Sequence, residues 1–299
     1  MALVPFYDRD GMIWMDGALV PRRDAKLHVL SHGLHYASGV FEGERSYSGN
    51  IFKLREHTDR LIASGRILGF EIPYTAEQID AACREVLAAN NLVDGYIRPI
   101  AWRGTEQLSV SAQQTKIHLA VACWAWPNLF GADRMKGVRL GMAPWKRPHP
   151  ETAPTASKAA GLYMIGTLSK HAAEAAGFDD ALMLDWRGRV SEATGANIFF
   201  VMDGALHTPT PDCFLDGITR RTVMSIARRH QMTVVERVIE MEELPRATEV
   251  FLAGTAAEVT PVREIAGNLY APGPITETLL RDYERLVRMS PAEVSSRAA

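Results

Sequence analysis

Lys158 stands in a setting that suggests chemistry rather than solubility. Only seven of the 33 lysines and arginines are lysines, and this one lies among small residues at 155–157 and 159–161, after a proline-rich stretch. A lysine with such neighbours loses hydration, which favours the neutral amine that carbonyl chemistry requires. The local sequence therefore indicates a candidate catalytic lysine. A surface lysine at the start of a helix is the alternative.

Two further segments could hold an anion. The first, residues 215–220, has Gly217 at a tight turn and Thr219 where the N-cap of a helix from Arg220 to His230 is expected. Free backbone N–H groups and the helix dipole at such a start attract a phosphate or carboxylate. Ordinary capping is the alternative. The second, residues 252–258, runs from a predicted strand into small residues that let a ligand approach the backbone closely.

Three histidines have the spacing that a metal site on one helix face would need, namely His28, His32 and His35. No carboxylate or cysteine joins them at ligand spacing, and Gly33 disfavours a regular helix. We therefore expect hydrogen-bonded structural histidines and no metal site.

Composition weighs against several classes of partner. The formal net charge is -2, and neither half of the chain contains a basic block. The sequence therefore predicts no basic surface that would bind nucleic acid or an anionic membrane. No run of about 18 apolar residues predicts a membrane span, and charged residues near the N-terminus disfavour a signal peptide. The three cysteines form no CxxC pair, so we expect them to be buried and reduced in a cytoplasmic protein.

Strand-like and helix-like segments alternate along the chain. The first half predicts a hairpin over 12–20 with its turn at Asp16-Gly17, a strand over 41–47, helices over 55–68 and from a capping box at Thr75, and strands over 96–102 and 116–124. The second half predicts a strand over 138–142, a helix over 162–176, hairpins over 181–192 and 197–209, a helix over 220–230, strands near 234 and 250, and a helix over 276–289. Periodicity lapses between them, which predicts domains over 1–127 and 137–299 joined by a linker over 128–136.

Eight ordered segments closely resemble class IV (fold type IV) pyridoxal-phosphate (PLP) aminotransferases, specifically the branched-chain amino acid aminotransferases. They extend from about residue 12 to residue 285, so chance resemblance is negligible. The matching segments are His32-Gly33-Leu34-His35-Tyr36, Val40-Phe41-Glu42-Gly43, Arg55-Glu56-His57 with Arg60, Tyr96-Ile97-Arg98-Pro99, Ser157-Lys158-Ala159 with Tyr163, Ser191-Glu192-Ala193, Leu215-Asp216-Gly217-Ile218-Thr219-Arg220 and Gly254-Thr255-Ala256-Ala257-Glu258.

The resemblance implies a fold type IV PLP enzyme of the α+β or α/β class. Its smaller N-terminal domain would be an α/β sandwich, and its larger C-terminal domain an α/β pseudo-barrel. The family also implies a homodimer or an assembly of dimers.

For the cofactor, the resemblance implies that Lys158 carries PLP as a Schiff base and moves the proton during transamination. Glu192 matches the carboxylate beside the pyridine nitrogen, and Tyr163 matches the tyrosine that hydrogen-bonds the phenolic oxygen. The phosphate site is matched by Arg60, Gly217, Ile218, Thr219 and Thr255. Because five residues of continuous helix would turn Tyr163 about 140° away from Lys158, we expect the lysine to precede the helix.

For the substrate, the resemblance implies that Tyr96 and the amides of Thr255 and Ala256 bind the α-carboxylate. Arg98 matches the residue that reads the side-chain carboxylate of glutamate. The implied apolar pocket consists of Phe41 and Trp126, with Tyr36 and Val110 from a second subunit. Core packing is the alternative for the first two aromatic residues.

The implied reaction is the reversible ping-pong transfer of an amino group from L-leucine, L-isoleucine or L-valine to 2-oxoglutarate. The alternatives on the same fold are a D-amino-acid transaminase, an (R)-amine transaminase and an aminodeoxychorismate lyase. Tyr96 and Arg98, with Phe41 and Gly43, favour the branched-chain type. A non-catalytic PLP-binding protein is disfavoured because Lys158 and the other cofactor residues are all present.

Two residues depart from the family pattern. Ser109 stands where the family often has glycine, which bears on the shape of the pocket mouth. Glu44 stands where an aliphatic residue is common.

Overall fold

The computed structural model describes residues 4–126 and 134–289. The chain divides into two compact units: Met1–Trp126 with Ser157–Gly161, and Pro127–Ala156 with Leu162–Ala299. Most of the predicted linker over 128–136 lies outside the described residues. The predicted domain boundary therefore stays a prediction.

The first unit is built on an antiparallel sheet that has seven strands among the described residues. These are β1 (Met12–Met15), β2 (Ala18–Pro21), β3 (Gly39–Phe41), β4 (Glu44–Tyr47), β5 (Asn50–Ile51), β6 (Gly95–Arg103) and β7 (Ile117–Ala125). They follow the order β2-β1-β7-β6-β4-β5, and β3 also pairs with β6. The predicted first hairpin is confirmed, since Asp16 and Gly17 both have the positive φ that its tight turn requires.

The single strand predicted over residues 41–47 is interrupted. β3 ends at Phe41 and β4 begins at Glu44, which leaves two residues between the strands. The N–H of Glu42 still donates to the carbonyl of Pro99 on β6 at 2.8 Å, but Pro99 has no N–H to return the bond. A Cβ on Gly43 would lie 1.9 Å from the hydroxyl of Tyr96, which leaves room only for glycine. The other residue, Glu42, is fully buried. The alternation of the sequence had given no sign of this break.

In its described part, the first unit has three α-helices: α1 (His32–Tyr36), α2 (Leu54–Ile67) and α3 (Ala76–Ala89). The last two pack on the sheet around a core that includes Leu61, Ile79 and Val86. The predicted capping box of α3 is confirmed, because Thr75 and Gln78 each accept a backbone N–H from the other.

The second unit is built on a mixed sheet that has nine strands within the described ranges. These are β8 (Val138–Met142), β9 (Asp180–Leu184), β10 (Val190–Ala193), β11 (Asn197–Met202), β12 (Ala205–Pro209), β13 (Val234–Arg237), β14 (Glu249–Gly254), β15 (Glu258–Ile265) and β16 (Asn268–Leu269). Their order is β10-β9-β8-β15-β14-β11-β12-β13, with β16 on β15. The pairs β8–β9, β8–β15 and β12–β13 are parallel.

Three helices pack against this second sheet: α4 (Tyr163–Ala175), α5 (Ile218–Arg229) and α6 (Pro274–Arg288). The prediction for α5 was wrong at its start. Gly217 is the N-cap, and Thr219 lies inside the first turn. Strand β15 was also missed, because Pro261 and the small residues before it break the usual strand pattern while tertiary contacts bury most of its length.

The sequence also led to expectations about membrane spans and about the three cysteines. Among residues 4–126 and 134–289, no helix is both long and apolar enough to cross a membrane. Cys83, Cys123 and Cys213 are free and buried, as predicted.

Glu44, the residue that departs from the family pattern, is fully buried on β4. Burial raises the pKa of its carboxyl well above the ordinary value, and the neighbouring charges of Glu42 and Asp80 raise it further. A carboxyl with a raised pKa keeps its proton in the folded protein at a pH where the unfolded chain releases it. Stability is therefore fully present below about pH 4.5 and declines as the pH rises towards the folded-state pKa.

We predict that Glu44→Gln removes this decline. From pH 4.5 upward, the free energy of unfolding of the variant minus that of the wild type should increase by about 1.4 kcal/mol per pH unit. The increase should stop at the folded-state pKa of Glu44. Urea unfolding across this range measures the difference. Glu85→Gln, an exposed change on the neighbouring α3, is the matched control. Parallel pH profiles for Glu44→Gln and the wild type would contradict the prediction.

Candidate active site

Lys158 lies in the first unit and precedes the helix, as predicted, because the regular turns of α4 begin only at Tyr163. Its carbonyl accepts the backbone N–H of Phe41 at 3.1 Å, and its own N–H donates to Ser64 Oγ at 3.0 Å. The Ser157 hydroxyl donates to the carbonyl of Ser64 at 3.0 Å, and Ala159 forms a β-bridge with Val40. The lysine backbone is thus fixed on both sides against β3 and α2.

Arg60 on α2 is held by a buried carboxylate. Its Nε and Nη2 donate to the two oxygens of Glu42 at 2.6 and 2.8 Å, and His57 Nδ1 lies 2.8 Å from the same carboxylate. Burial alone would raise the pKa of Glu42, but Arg60 and His57 outweigh burial and hold this pKa well below its usual range. Burial lowers the pKa of His57, which favours a neutral ring. Arg60 is therefore a partly covered, fixed cation.

Four of the residues predicted for the substrate pocket lie together in the first unit. The Arg98 guanidinium lies over the ring of Phe41 at 4.7 Å, and its Nη2 donates to the hydroxyl of Tyr96 at 3.2 Å. The ring of Trp126 lies 4.7 Å from that of Tyr96. Lys158 Nζ also lies over Phe41, at 4.8 Å. One apolar ring is therefore flanked by an amine and a guanidinium.

Glu192 lies on β10 in the second unit and is nearly buried. Arg147 Nη2 pairs with its carboxylate at 2.9 Å, and the Asn197 side-chain amide donates to it at 3.3 Å. The same amide donates to the carbonyl of Leu215 at 3.0 Å. These contacts fix the direction in which the carboxylate points.

The start of α5 is shaped to receive an anion. No side chain caps it, so the backbone N–H groups of Ile218 and Thr219 in its first turn have no capping side chain as a partner. Gly217 has an ordinary φ of −62°, so its role is not a special turn. Instead, a Cβ at this position would lie 2.2 Å from Asn197 Oδ1.

The other predicted residues of the second unit lie at element boundaries. Thr255 and Ala256 form part of the tight turn between β14 and β15, and both are partly exposed. Tyr163 is the first residue of α4 and is also partly exposed. The turn presents its backbone at the end of the sheet, as the small residues predicted.

The residues predicted to come from a second subunit lie at the surface of the first unit. The exposed fraction of Tyr36 is 46%, and that of Val110 is 88%. His32 joins their two segments through its ring nitrogens, which lie 2.6 Å from Ser38 Oγ and 2.9 Å from the carbonyl of Ser109. The carbonyl of Ser109 therefore ties the segment that carries Val110 to α1.

The three histidines have separate hydrogen bonds. His28 Nδ1 accepts the N–H of Leu30 at 3.1 Å, and His35 Nε2 lies 2.8 Å from the carbonyl of Val29. In the part of the chain that the structure describes, no group of three His, Cys, Asp or Glu residues could hold a metal ion.

Sequence reasoning missed the residues that hold the candidate site residues in place. Arg147 and Asn197 both contact Glu192, and Glu42 holds Arg60. Glu42 stood inside a recognised motif without an assigned role. The contact of Arg147 with Glu192 joins residues 45 apart in sequence, which local patterns do not reveal, and the contact of Asn197 crosses the turn between β10 and β11.

Comparisons with known proteins agree with this arrangement. Residues 39–265 match the model of the family described as amino-transferase class IV. The branched-chain-amino-acid aminotransferase of Pseudomonas aeruginosa is 41% identical over 288 residues, which cover 94% of each chain. The Escherichia coli K12 protein of that name is 37% identical over 277 residues, 89% of this chain and 90% of that protein.

Two solved structures show the same likeness. The branched-chain aminotransferase from Thermoproteus uzoniensis with norvaline has a TM-score of 0.89 and 40% identity, covering 94% of this chain and 95% of that one. The branched-chain amino acid aminotransferase from Thermobaculum terrenum, in its PLP form, has a TM-score of 0.85 and 30% identity, covering 93% of this chain and 94% of that one.

The chain therefore belongs to the class IV aminotransferases, and within them to the branched-chain amino acid aminotransferases. The predicted family, fold type and enzyme class are confirmed.

Proposed function

We propose that this protein transfers the amino group of L-leucine, L-isoleucine or L-valine to 2-oxoglutarate, reversibly, with PLP as its cofactor. The observation that carries the proposal is that the Lys158 amine and the Arg98 guanidinium both lie over the ring of Phe41, at 4.8 and 4.7 Å. A site that transfers the amino group of an amino acid needs a reactive lysine amine at one end, and Lys158 supplies it. A site for both leucine and glutamate also needs an apolar wall with a cation in reach.

The residues of each unit fit PLP chemically. The first unit supplies the amine of Lys158 and the cation of Arg60. The second supplies the uncapped start of α5, with Gly217, Ile218 and Thr219, for a phosphate, and Glu192, fixed by Arg147, for the pyridine nitrogen. Thr255 completes the phosphate-binding set, and Tyr163 binds the phenolic oxygen.

In the proposed mechanism, Lys158 Nζ removes the proton from the substrate α-carbon and carries it to the C4′ atom of the cofactor. PLP, when bound, accepts the electron pair released at that carbon. Glu192 holds the proton on the pyridine nitrogen. Tyr96 and the amides of Thr255 and Ala256 orient the α-carboxylate, which fixes the α-proton towards the lysine.

The side-chain pocket is proposed to accept two chemistries. Phe41 and Trp126 contact the aliphatic side chain of the branched substrates, and Arg98 pairs with the distal carboxylate of glutamate. Tyr36 and Val110 of a partner subunit close this pocket. A cytoplasmic location stays a prediction.

The substrate assignment predicts a clear preference among donors. With 2-oxoglutarate as acceptor, kcat/KM for L-leucine should exceed that for D-alanine by at least about tenfold, because the pocket selects side chain and α-carboxylate together. A steady-state screen of donors measures this. A better rate with D-alanine or (R)-1-phenylethylamine would reject the substrate assignment and leave the cofactor assignment standing.

The cofactor assignment predicts that Lys158→Ala loses both covalent attachment of PLP and turnover. Turnover should fall at least about 100-fold because no other group takes the α-proton. Borohydride treatment followed by peptide mapping locates the attached cofactor. Lys146→Ala, an exposed lysine in the proline-rich segment, is the control and should keep both properties. Cofactor found on another lysine would contradict the assignment.

We also propose that the protein forms a homodimer through an exposed apolar surface of the first unit, called here the α1 surface. It is lined by Leu27, Val29, Leu30, Leu34, Tyr36 and Val110. So many neighbouring exposed apolar side chains are unusual for a surface that stays in water. The same surface carries the two residues assigned to the partner's pocket, which makes self-association part of the active site.

Leu34→Asp should therefore produce monomers with a weakened reaction. Placing a charge in the apolar contact should raise the dimer dissociation constant at least about tenfold and lower kcat/KM for leucine. Sedimentation velocity and steady-state kinetics measure the two effects. Leu269→Asp changes an even more exposed leucine of the second unit and should leave both unchanged. An unaltered dimer in Leu34→Asp would reject the α1 surface as the interface.

A further inference from the structure

Arg98 is surrounded by aromatic rings rather than by anions. Its guanidinium carbon lies 4.7 Å from the ring centre of Phe41, 5.2 Å from that of Tyr96 and 5.9 Å from that of Trp124. Across residues 4–126 and 134–289, no carboxylate lies within 4.0 Å of it, and its buried Nε has no hydrogen-bond partner. Within the described residues, three rings and the hydroxyl of Tyr96 therefore surround its charge.

Trp124 is held in this position from two sides. It lies on β7 directly opposite Tyr96 of β6, and the two rings stack at 5.2 Å with an angle of 29°. On another side, the edge of Phe6 packs against it at 5.2 Å. Arg98 follows Tyr96 by two residues and so extends from the same face of β6. Trp124 is thus a fixed wall for the arginine, whereas the guanidinium sits at the end of a flexible side chain.

We propose that Trp124 is a specificity-determining positioning residue, which sets the preference between apolar and acidic side chains through its hold on Arg98. The proposal rests on the function proposed above for Arg98, the reading of a distal carboxylate. When the substrate side chain is aliphatic, no anion pairs with the guanidinium, and contacts with the aromatic rings stabilise its charge instead. When the side chain ends in a carboxylate, the guanidinium moves towards it and gives up part of its contact with Trp124.

The ring contact therefore competes with the acidic substrate and not with the aliphatic one. Tryptophan is the strongest of the aromatic residues in contacts with cations, and a partly buried contact of this kind corresponds to about a fivefold change in affinity. Removal of the ring should strengthen binding of a dicarboxylate relative to an apolar monocarboxylate. Loss of packing alone would weaken both, with no reason to favour the dicarboxylate.

The test compares two unreactive ligands of the PLP-loaded protein by titration calorimetry. Glutarate carries a distal carboxylate, and 4-methylpentanoate carries a branched apolar end. In Trp124→Leu, the ratio of the glutarate affinity to the 4-methylpentanoate affinity should rise about fivefold. In Trp124→Phe, which keeps a ring of weaker attraction for cations and a similar wall, the ratio should rise about twofold. This variant also serves if the leucine variant does not fold.

Two controls separate the hold on Arg98 from general packing. Phe6→Leu removes one of the two supports of Trp124 and none of the rings over the guanidinium, so any rise in the ratio should be smaller than in Trp124→Leu. In an Arg98→Gln background, Trp124→Leu should also leave the ratio unchanged, since no guanidinium remains to be held.

An unchanged or lower ratio in both folded Trp124 variants would overturn the proposal. A rise that persists in the Arg98→Gln background would overturn it as well, because pocket shape would then be the cause. Failure of the proposed function gives a different result: no transfer from L-leucine to 2-oxoglutarate, whatever the ligand ratio. A ratio that depends on both Trp124 and Arg98 would support the hold on the arginine even in that case.

Discussion

The buried carboxylate of Glu42 is the feature on which the first unit depends. A lone charge at this depth would cost several kcal/mol, and Arg60 and His57 offset that cost by direct contact. Both partners lie on α2, so the ion pair also fixes how this helix docks on the sheet. The interruption between β3 and β4 has a different cause: Pro99 on β6 accepts the N–H of Glu42 but has no N–H to donate back to Glu42. Phe41 and Gly43, on either side of it, then take the positions that Lys158 and Tyr96 require.

The second unit also has a nearly buried carboxylate, that of Glu192, which is held by a different set of contacts. Arg147 pairs with Glu192, and Asn197 spans from Glu192 to the segment that leads into α5. One asparagine therefore links the carboxylate to the helix start, and Gly217 provides the space that it needs. Each unit holds its functional groups with side chains that have no assigned contact with cofactor or substrate.

Local sequence patterns predicted the parts of this protein that local forces decide. The first hairpin, the capping box of α3 and the placement of Lys158 before α4 follow from turn residues, side-chain caps and helical geometry. The resemblance to a family supplied the roles of the site residues, which local patterns left open. Neither the local patterns nor the resemblance predicted the long-range contacts. Pairing of Arg147 with Glu192, or of Trp124 with Arg98, depends on strands that meet only in the folded chain.

The segment Ser157–Gly161 belongs to the first unit although 30 residues of the second unit precede it in the chain. Its hydrogen bonds with Phe41 and Ser64 supply one edge contact of β3 and one of α2. During synthesis, the first unit therefore cannot reach its final form when residue 126 leaves the ribosome. It must wait for residue 161, and by then the start of the second unit has also emerged. No single cut in the gene separates the two units, so neither can be expressed whole as one contiguous fragment.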